Sequence, residues 1–277
     1  MDMLITADDL HQRLVEPELV IFDCRFRLSD PEWGQQMYAK SHIPGAYYFD
    51  LERDLSSALH EHGGRHPLPD PEVFANKLGQ AGVTPTSTVV VYDSGEGMAT
   101  RAWWLVRYVG VEEVYVLDGG YQAWLNAGFA CSTQVPPKVD HDYDARVHPG
   151  WTVDVDDVRR IVTGDWDAVL VDARAHDRYT GEFEPIDSKA GHIPGAVNYP
   201  WQNGLTEDGR WKPEHIQLRR FSEVMSKGRP IVVYCGSGVT ACADIFALKL
   251  AGAKDVRLYT GSWSDWISYP DNPIDHA

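Results

Sequence analysis

The sequence is short of positive charge, of cysteine and of long apolar runs. Its 277 residues include 25 Lys and Arg against 41 Asp and Glu, which gives a formal net charge of −16. A field of this sign repels polyanions, so we expect neither nucleic acid nor an anionic membrane surface as a partner. Any anionic substrate must therefore meet a local cluster of positive charge.

No membrane or targeting segment is indicated. The N-terminal stretch MDMLITADDL has neither a cationic nor a long apolar part, and no run elsewhere approaches the roughly 20 apolar residues that a membrane span requires. We therefore expect a cytoplasmic protein.

The cysteines are too few for a disulfide scaffold and lack the paired C-x-x-C spacing of a zinc site. We expect no metal and no other cofactor. Reduced thiols are the default, so one cysteine is available for chemistry. The four are Cys24, Cys131, Cys235 and Cys242.

The two halves of the chain are a divergent tandem repeat. Asp93 to Gly119 and Cys235 to Gly261 are each separated by 26 positions. Such self-similarity predicts one fold for both halves. The matching segments are VIFDCR (20–25) with VLVDAR (169–174), SHIPGAYYFD (41–50) with GHIPGAVNYP (191–200), VVVYDSGEGMATR (89–101) with IVVYCGSGVTACA (231–243), and LDGGYQAW (117–124) with YTGSWSDW (259–266).

Short β-branched runs alternate with helix-like stretches in each half. Val89–Tyr92 precedes a predicted helix over Ala99–Tyr108, and Ile231–Tyr234 precedes one over Thr240–Ala251. Strands that alternate with helices predict an α/β fold with a parallel sheet.

A stretch rich in proline, with little apolar periodicity, lies between the halves and predicts a linker. We place the boundary near residue 140. The predicted domains are 1–138 and 150–277, joined by a linker over 139–149.

The segment CGSGVT, residues 235–240, lies between a predicted strand and a predicted helix; we call it the cysteine loop. Gly236 and Gly238 allow successive N–H groups to turn inward around the sulfur of Cys235. The start of the helix adds unsatisfied N–H donors and partial positive charge. Such surroundings favour thiolate over thiol, so we predict a nucleophilic cysteine rather than the small buried hydrophobe that a lone cysteine usually is.

The duplicated HIPGA motifs, the cysteine loop, RAWW at 101–104 and GSWSDW at 261–266 together resemble the rhodanese superfamily over nearly the whole chain. The resemblance implies two tandem rhodanese-like domains, each an α/β unit with a parallel sheet flanked by helices. Asp93 occupies the position equivalent to Cys235, so the first domain cannot form a persulfide. One active site per chain, at Cys235, follows.

The resemblance also bears on the sulfur donor. Members that prefer thiosulfate place basic residues directly after the cysteine, whereas members that prefer 3-mercaptopyruvate carry a loop such as this one. The implied reaction moves sulfane sulfur from mercaptopyruvate through a Cys235 persulfide to a thiol, cyanide or a thioredoxin-like acceptor, and releases pyruvate. Thiosulfate:cyanide sulfurtransferase is the nearest alternative.

In mercaptopyruvate-preferring members, two arginines before the second HIPGA motif bind the carboxylate and carbonyl. Arg178 matches the first, and its planar fork suits a carboxylate. Ile186 occupies the second position, and Lys189 nearby is the candidate substitute. The remaining substrate-binding residues implied are in the cysteine loop: Gly236, Gly238, Val239 and Thr240.

Family members also imply a proton relay that runs from a serine through a histidine to an aspartate. Ser237 matches the serine, His42 of the first HIPGA motif is the candidate histidine, and Asp30 is the candidate aspartate. The alternative for His42 is that it only fixes the HIPGA turn through a hydrogen bond.

The sequence disfavours two other functions. A cysteine phosphatase needs an arginine six positions after the cysteine, and Ala241 stands there. A non-catalytic sulfur-carrier or binding module is disfavoured by the intact cysteine loop. Cys242 is expected to be structural because its helix holds it too far from Cys235 for a disulfide; a redox role for Cys24 or Cys242 stays open.

Overall fold

The structure is a computed structural model that describes residues 3–139 and 141–277. The chain forms two compact units. Unit 1 consists of Met1–Ser57, Pro69–His148 and Glu207–Arg210, and unit 2 consists of Ala58–Leu68, Pro149–Thr206 and Trp211–Ala277. Each unit therefore takes most of its residues from one half of the sequence and a short segment from the other half. We call Ala58–Leu68 the exchanged segment.

The predicted domain boundary near residue 140 falls on a residue outside the described ones, and the predicted domain limits stay predictions. The predicted linker forms backbone hydrogen bonds with other parts of unit 1 both before and after residue 140. The Val139 amide donates to the Gln80 carbonyl at 2.9 Å, and the Arg146 amide donates to the Val109 carbonyl at 2.8 Å.

Unit 1 contains a five-stranded sheet in the order β1-β5-β4-β2-β3, and its strands pair in parallel. The central strand β4 is buried at every position, as a strand covered on both faces should be. The strands are β1 (Leu4–Ile5), β2 (Leu19–Asp23), β3 (Ala46–Tyr48), β4 (Thr88–Tyr92) and β5 (Val114–Leu117), and the helices are α1 (Ala7–Arg13), α2 (Trp33–Lys40), α3 (Pro71–Gln80), α4 (Met98–Tyr108) and α5 (Gly120–Asn126).

Unit 2 repeats this order as β6-β10-β9-β7-β8, again with parallel pairing. Its central strand is β9, also buried throughout. The strands are β6 (Thr152–Val153), β7 (Val169–Asp172), β8 (Val197–Asn198), β9 (Ile231–Tyr234) and β10 (Val256–Tyr259), the helices are α6 (Val155–Thr163), α7 (His176–Thr180), α8 (Glu214–Met225), α9 (Ala241–Leu250) and α10 (Ser262–Trp266), and two 3₁₀ turns cover Pro149–Trp151 and Trp201–Gly204.

The shared strand order confirms the predicted α/β fold with two similar parallel sheets. Asp93 directly follows β4 and Cys235 directly follows β9. Both residues thus stand at the carboxyl end of a central strand, where open α/β sheets bind their ligands.

Tryptophans pack beside the sheets. Trp124 is fully buried in the core of unit 1, and Trp263 and Trp266 are fully buried in the core of unit 2. In the described part of the chain, none of the helices has the length and apolar character needed to cross a membrane.

Candidate active site

The cysteine loop is fixed to the start of α10 through its backbone. The Cys235 carbonyl accepts from the Trp263 amide at 3.0 Å, and the Gly236 carbonyl accepts from the Ser264 amide at 2.9 Å. Gly238 has a φ of +78° and its α-carbon approaches the Thr260 carbonyl so closely that a Cβ would clash. The loop is therefore a rigid turn, and Cys235 within it is only 2% exposed.

Ser262 holds the backbone amide of Cys235. Its hydroxyl oxygen accepts the Cys235 N–H at 3.1 Å and donates to the Tyr259 carbonyl at 2.9 Å. Ser262 has a φ of +57°, and within residues 3–139 and 141–277 it is the only residue other than glycine with a positive φ. A positive φ strains the backbone of a residue that has a side chain. We infer that the hydrogen bond between the Ser262 hydroxyl and the Cys235 amide compensates this strain.

Ser237 is hydrogen-bonded to a histidine that we did not predict. The Ser237 hydroxyl lies 2.8 Å from Nδ1 of His66, and both residues are buried. His66 belongs to the exchanged segment, which is part of unit 2. The sequence signal was slight: an Arg-His pair behind two glycines, in a stretch without apolar periodicity.

The histidines of the two HIPGA motifs have the same structural surroundings in both units. His42 in unit 1 contacts the Tyr38 carbonyl through Nδ1 at 2.7 Å, and His192 in unit 2 contacts the Tyr179 carbonyl in the same way at 2.8 Å. Each imidazole also stacks on that tyrosine ring. Because only one of the two domains carries the cysteine, this shared arrangement supports the alternative in which His42 fixes its turn.

The predicted pairing of His42 with Asp30 is not formed. The second ring nitrogen of His42 contacts the Gln134 carbonyl at 3.0 Å, so backbone carbonyls occupy both nitrogens. Asp30 lies in an exposed turn just before α2, where its amide donates to the Arg27 carbonyl. The physical reason is that an imidazole with two bonded nitrogens has no site left for a carboxylate. The structure therefore pairs the Ser237 hydroxyl with His66 rather than with His42.

Arg178, the predicted carboxylate-binding residue, lies on α7 and is held by two acids. Its Nε donates to both carboxylate oxygens of Glu184 at 3.0 and 2.9 Å, and its Nη2 donates to Asp187 at 2.8 Å. Burial tends to raise the pKa of Glu184, but hydrogen bonds from Arg178 and from two backbone amides outweigh burial and hold that pKa below its usual value. Glu184 therefore stays ionised and fixes the direction of Arg178.

A second guanidinium, from Arg65, reaches the same place. Its Nε and Nη2 donate to the two oxygens of Asp187 at 2.9 and 3.1 Å. A Cβ added at Gly236 would lie 2.8 Å from Nη2 of Arg65 and 3.3 Å from Nη2 of Arg178. Both guanidiniums thus border the residue that follows Cys235.

Neither of the other residues considered for the second cationic position provides a fixed charge there. Ile186 is 48% exposed, and its amide donates to Glu184 at 3.0 Å. Lys189 is exposed; its carbonyl accepts from the Trp263 indole at 2.9 Å, and no ion pair of its ammonium is formed with the described residues. The structure therefore brings Arg65, rather than Lys189, beside Arg178 and Gly236.

The equivalent loop of unit 1, residues 93–98, is occupied by its own carboxylate; we call it the aspartate loop. One oxygen of Asp93 accepts the Gly95 amide and the other accepts the Ala99 amide, each at 2.8 Å. Burial raises the pKa of Asp93, although these amide bonds act in the opposite direction. The aspartate loop shows directly that this turn can bind an anion through backbone N–H groups.

All four cysteines are free thiols. Cys242 is buried under the cysteine loop, with its Sγ 3.5 Å from the Gly238 carbonyl, and burial raises the pKa of Cys24 well above its usual value. Only Cys131 is exposed. Within residues 3–139 and 141–277, no cluster of three His, Cys, Asp or Glu side chains could hold a metal ion.

Two parallel five-stranded sheets of the same order, one followed at its central strand by a cysteine in a glycine-containing turn, define a tandem rhodanese-type protein. A family model for the rhodanese-like domain matches residues 6–127 and again 154–269, and the chain belongs to this family.

Relatives agree with this assignment. A probable 3-mercaptopyruvate sulfurtransferase of Pseudomonas aeruginosa is 46% identical over 277 residues, which cover 98% of this chain and 97% of the relative. A putative thiosulfate sulfurtransferase, SseB, of Mycobacterium tuberculosis is 36% identical over 281 residues, with 98% and 96% covered. The crystal structure of SseA from Escherichia coli, described as a 3-mercaptopyruvate sulfotransferase with the rhodanese fold, is 35% identical with a TM-score of 0.83, and the match covers 95% of this chain and 100% of that one.

These comparisons confirm the prediction of a tandem rhodanese-family sulfurtransferase. The names of the relatives divide between two sulfur donors.

Proposed function

We propose that the protein transfers sulfane sulfur from 3-mercaptopyruvate to a thiophilic acceptor through a persulfide on Cys235. The observation that carries this proposal is the geometry of the cysteine loop. Cys235 starts a turn equivalent to the aspartate loop, in which backbone amides bind a carboxylate. No cation occurs within residues 235–240, and Arg178 borders the loop from outside. A donor with one carboxylate set apart from its sulfur fits this distribution of charge.

In the first step the Cys235 thiolate attacks the donor sulfur. An S–S bond forms, the donor's C–S bond breaks, and its electron pair passes to the methylene carbon as the enolate of pyruvate. A proton is then added to that carbon, and the thiol proton of the donor is lost from the outer sulfur of the persulfide. The products are the Cys235 persulfide anion and pyruvate. We assign this proton transfer to the Ser237 hydroxyl, which is hydrogen-bonded to His66.

In the second step a thiophile attacks the outer sulfur of the persulfide and restores the Cys235 thiolate. Backbone N–H groups of the cysteine loop stabilise the sulfur anion in both steps. The equivalent N–H groups of the aspartate loop bind the Asp93 carboxylate in the same way. A small thiol, cyanide or a thioredoxin-like protein are the acceptors we propose. The cytoplasmic location expected from the sequence stays a prediction.

Thiosulfate is the second candidate donor. It is supported by the name of the M. tuberculosis relative and by the presence of two guanidiniums, Arg65 and Arg178, beside Gly236. A doubly charged donor would gain from both positive charges. Against it stands the absence of a cation within the cysteine loop itself.

Paired-donor kinetics test the proposal. We expect kcat/KM for mercaptopyruvate, measured as pyruvate release with a thiol acceptor, to exceed kcat/KM for thiosulfate. Cys235→Ser should abolish turnover of both donors, while the matched control Cys131→Ser, at an exposed thiol, should leave both unchanged. A preference for thiosulfate would overturn the donor assignment, and turnover by Cys235→Ser would overturn the persulfide mechanism.

A further inference from the structure

We propose that Arg65 is the second substrate-carboxylate-binding arginine and takes the role for which Ile186 is unsuited. This inference rests on the proposed function and specifies how mercaptopyruvate is selected. Arg65 comes from the first half of the sequence, but it lies in the exchanged segment and so belongs to unit 2 together with Cys235.

The geometry places the two guanidiniums on one carboxylate. Asp187 accepts from both Arg65 and Arg178, and its side chain is only 3% exposed. Two cations that would otherwise repel each other are thereby held side by side in fixed directions. Nη1 of Arg65 and Nη1 of Arg178 donate to none of the described residues, so each guanidinium keeps donors for a ligand.

The position of the pair relative to the nucleophile suits a short keto acid. A Cβ at Gly236 would lie within 2.8 Å of Arg65 and 3.3 Å of Arg178, and Gly236 directly follows Cys235. The absence of a side chain at residue 236 leaves room in front of both guanidiniums. A carboxylate bound there would be a few bonds from a sulfur atom presented to Cys235.

The ion pair of Arg65 is not needed to attach the exchanged segment. The Gly63 amide donates to Asp265 at 2.7 Å, the Arg65 amide donates to the Ser264 hydroxyl at 3.1 Å, and the His62 imidazole lies 2.8 Å from the Ser268 hydroxyl. These contacts hold the segment against α10 and the residues after it. The Arg65 side chain is therefore available for recognition rather than for attachment alone.

Lys189 is the less suitable cation. An exposed ammonium offers a point charge on a flexible stem, whereas an arginine held by a carboxylate offers a planar fork in a fixed direction. Arg65 has the second character, since Asp187 binds its Nε and Nη2.

The test uses two donors that differ only in the carboxylate. Mercaptopyruvate is compared with 1-mercaptopropan-2-one, in which a methyl group replaces the carboxylate, and release of pyruvate or acetone is followed. For Arg65→Ala we expect kcat/KM for mercaptopyruvate to fall by about 10- to 100-fold, mainly through KM, and kcat/KM for the neutral donor to change less than about threefold. Arg65→Lys should restore only part of the loss.

The neutral donor also shows whether Arg65→Ala is folded and able to form the persulfide. The matched control is Arg210→Ala, which removes an exposed arginine of unit 1 that pairs with Asp118 and Asp208; it should leave both donors unaffected. Equal losses with both donors, or no loss with either, would overturn the role of Arg65. A wild-type protein that releases no pyruvate from mercaptopyruvate would instead overturn the proposed function, which the same assay reveals separately.

Discussion

The aspartate loop of unit 1 and the cysteine loop of unit 2 start at the same place in the same sheet but hold different groups. Asp93 binds the backbone N–H groups of its own loop with its carboxylate. The side chain of Cys235 is one atom shorter, and in the proposed mechanism the N–H groups of its loop bind a sulfur anion instead. The shared turn is thus a property of the fold, and we infer that chemistry needs both a cysteine at the first position of the loop and the polar groups around it.

The residues around the two loops also differ, because those around the cysteine loop carry more polar groups. Gly120 lies behind Asp93 and has a φ of +57°. Ser262 lies behind Cys235 with the same φ, and its hydroxyl accepts a hydrogen bond from the Cys235 amide. Unit 2 also contains the exchanged segment with Arg65 and His66. The candidate site of unit 2 therefore differs from the equivalent turn of unit 1 in its surrounding polar groups as well as in the first residue of the loop.

The strongest test of this comparison converts one loop into the other. Cys235→Asp should fold normally, because its carboxylate can accept backbone amides as Asp93 does, and should lose more than about 1000-fold in pyruvate release. Melting temperature and turnover measure the two effects. The converse variant Asp93→Cys should gain no activity, because unit 1 lacks the surrounding groups; a gain would show that the cysteine alone is sufficient.

The next test separates the two histidines. His66→Gln should lower kcat with mercaptopyruvate by about 100-fold, because Ser237 loses its proton partner. His42→Gln should change kcat little and instead lower the free energy of unfolding by about 1–2 kcal/mol, because its imidazole bonds buried carbonyls. Steady-state kinetics and denaturant unfolding of both variants decide the matter, and a larger loss of kcat in His42→Gln would restore the original assignment.

A smaller effect is expected at the second position of each loop. Gly236→Ala places a Cβ against the guanidiniums of Arg65 and Arg178, whose flexible ends can move aside, so the fold should survive while kcat/KM for mercaptopyruvate falls about tenfold. The equivalent variant Ser94→Ala lies in the exposed part of the aspartate loop and should have no effect on turnover. Full activity of Gly236→Ala would mean that the guanidiniums do not contact substrate.

The smallest expected effect is on the pH dependence of the free energy of unfolding, through Glu96 of the aspartate loop. Burial and the neighbouring Asp93 raise the pKa of Glu96 to about 7. The native state therefore holds this proton more tightly than the unfolded state, so the free energy of unfolding falls as pH rises from about 4.5 to about 7. Glu96→Gln should reduce that fall by less than about 1 kcal/mol, since solvent screens a partly exposed group. Urea unfolding at several pH values measures it, and an unchanged slope in Glu96→Gln would contradict it.

Local patterns in the sequence were enough to predict the fold, which is confirmed, and to select Cys235 as the candidate nucleophile, which stays a prediction. The apolar run before Cys235, the two glycines after it and the repeated spacing to Gly261 all lie within one continuous stretch, and each maps onto a strand, a turn or a helix start. The aspartate at residue 93 was likewise read from the repeat. Each of these predictions needed only neighbours along the chain.

The side chains near the candidate nucleophile could not be predicted in that way. Arg65 and His66 precede Cys235 by well over a hundred residues and reach it only because the exchanged segment packs with unit 2. Ile186 and Lys189 were the residues expected at the second cationic position because they lie close to Arg178 in sequence. Proximity in sequence was a poor guide there, since Asp187 fixes Arg178 against an arginine from a distant segment.

The most direct test of the central claim is mass spectrometry of the protein after brief exposure to mercaptopyruvate without an acceptor. We expect the peptide containing Cys235 to gain the mass of one sulfur atom, pyruvate to be released in equal amount, and addition of a thiol to remove the extra sulfur. Fragment ions of that peptide should place the sulfur on Cys235 and not on Cys242, which lies seven residues later, and peptides containing Cys24 and Cys131 should stay unmodified. Sulfur found on another cysteine, or pyruvate released with no sulfur on Cys235, would contradict the account.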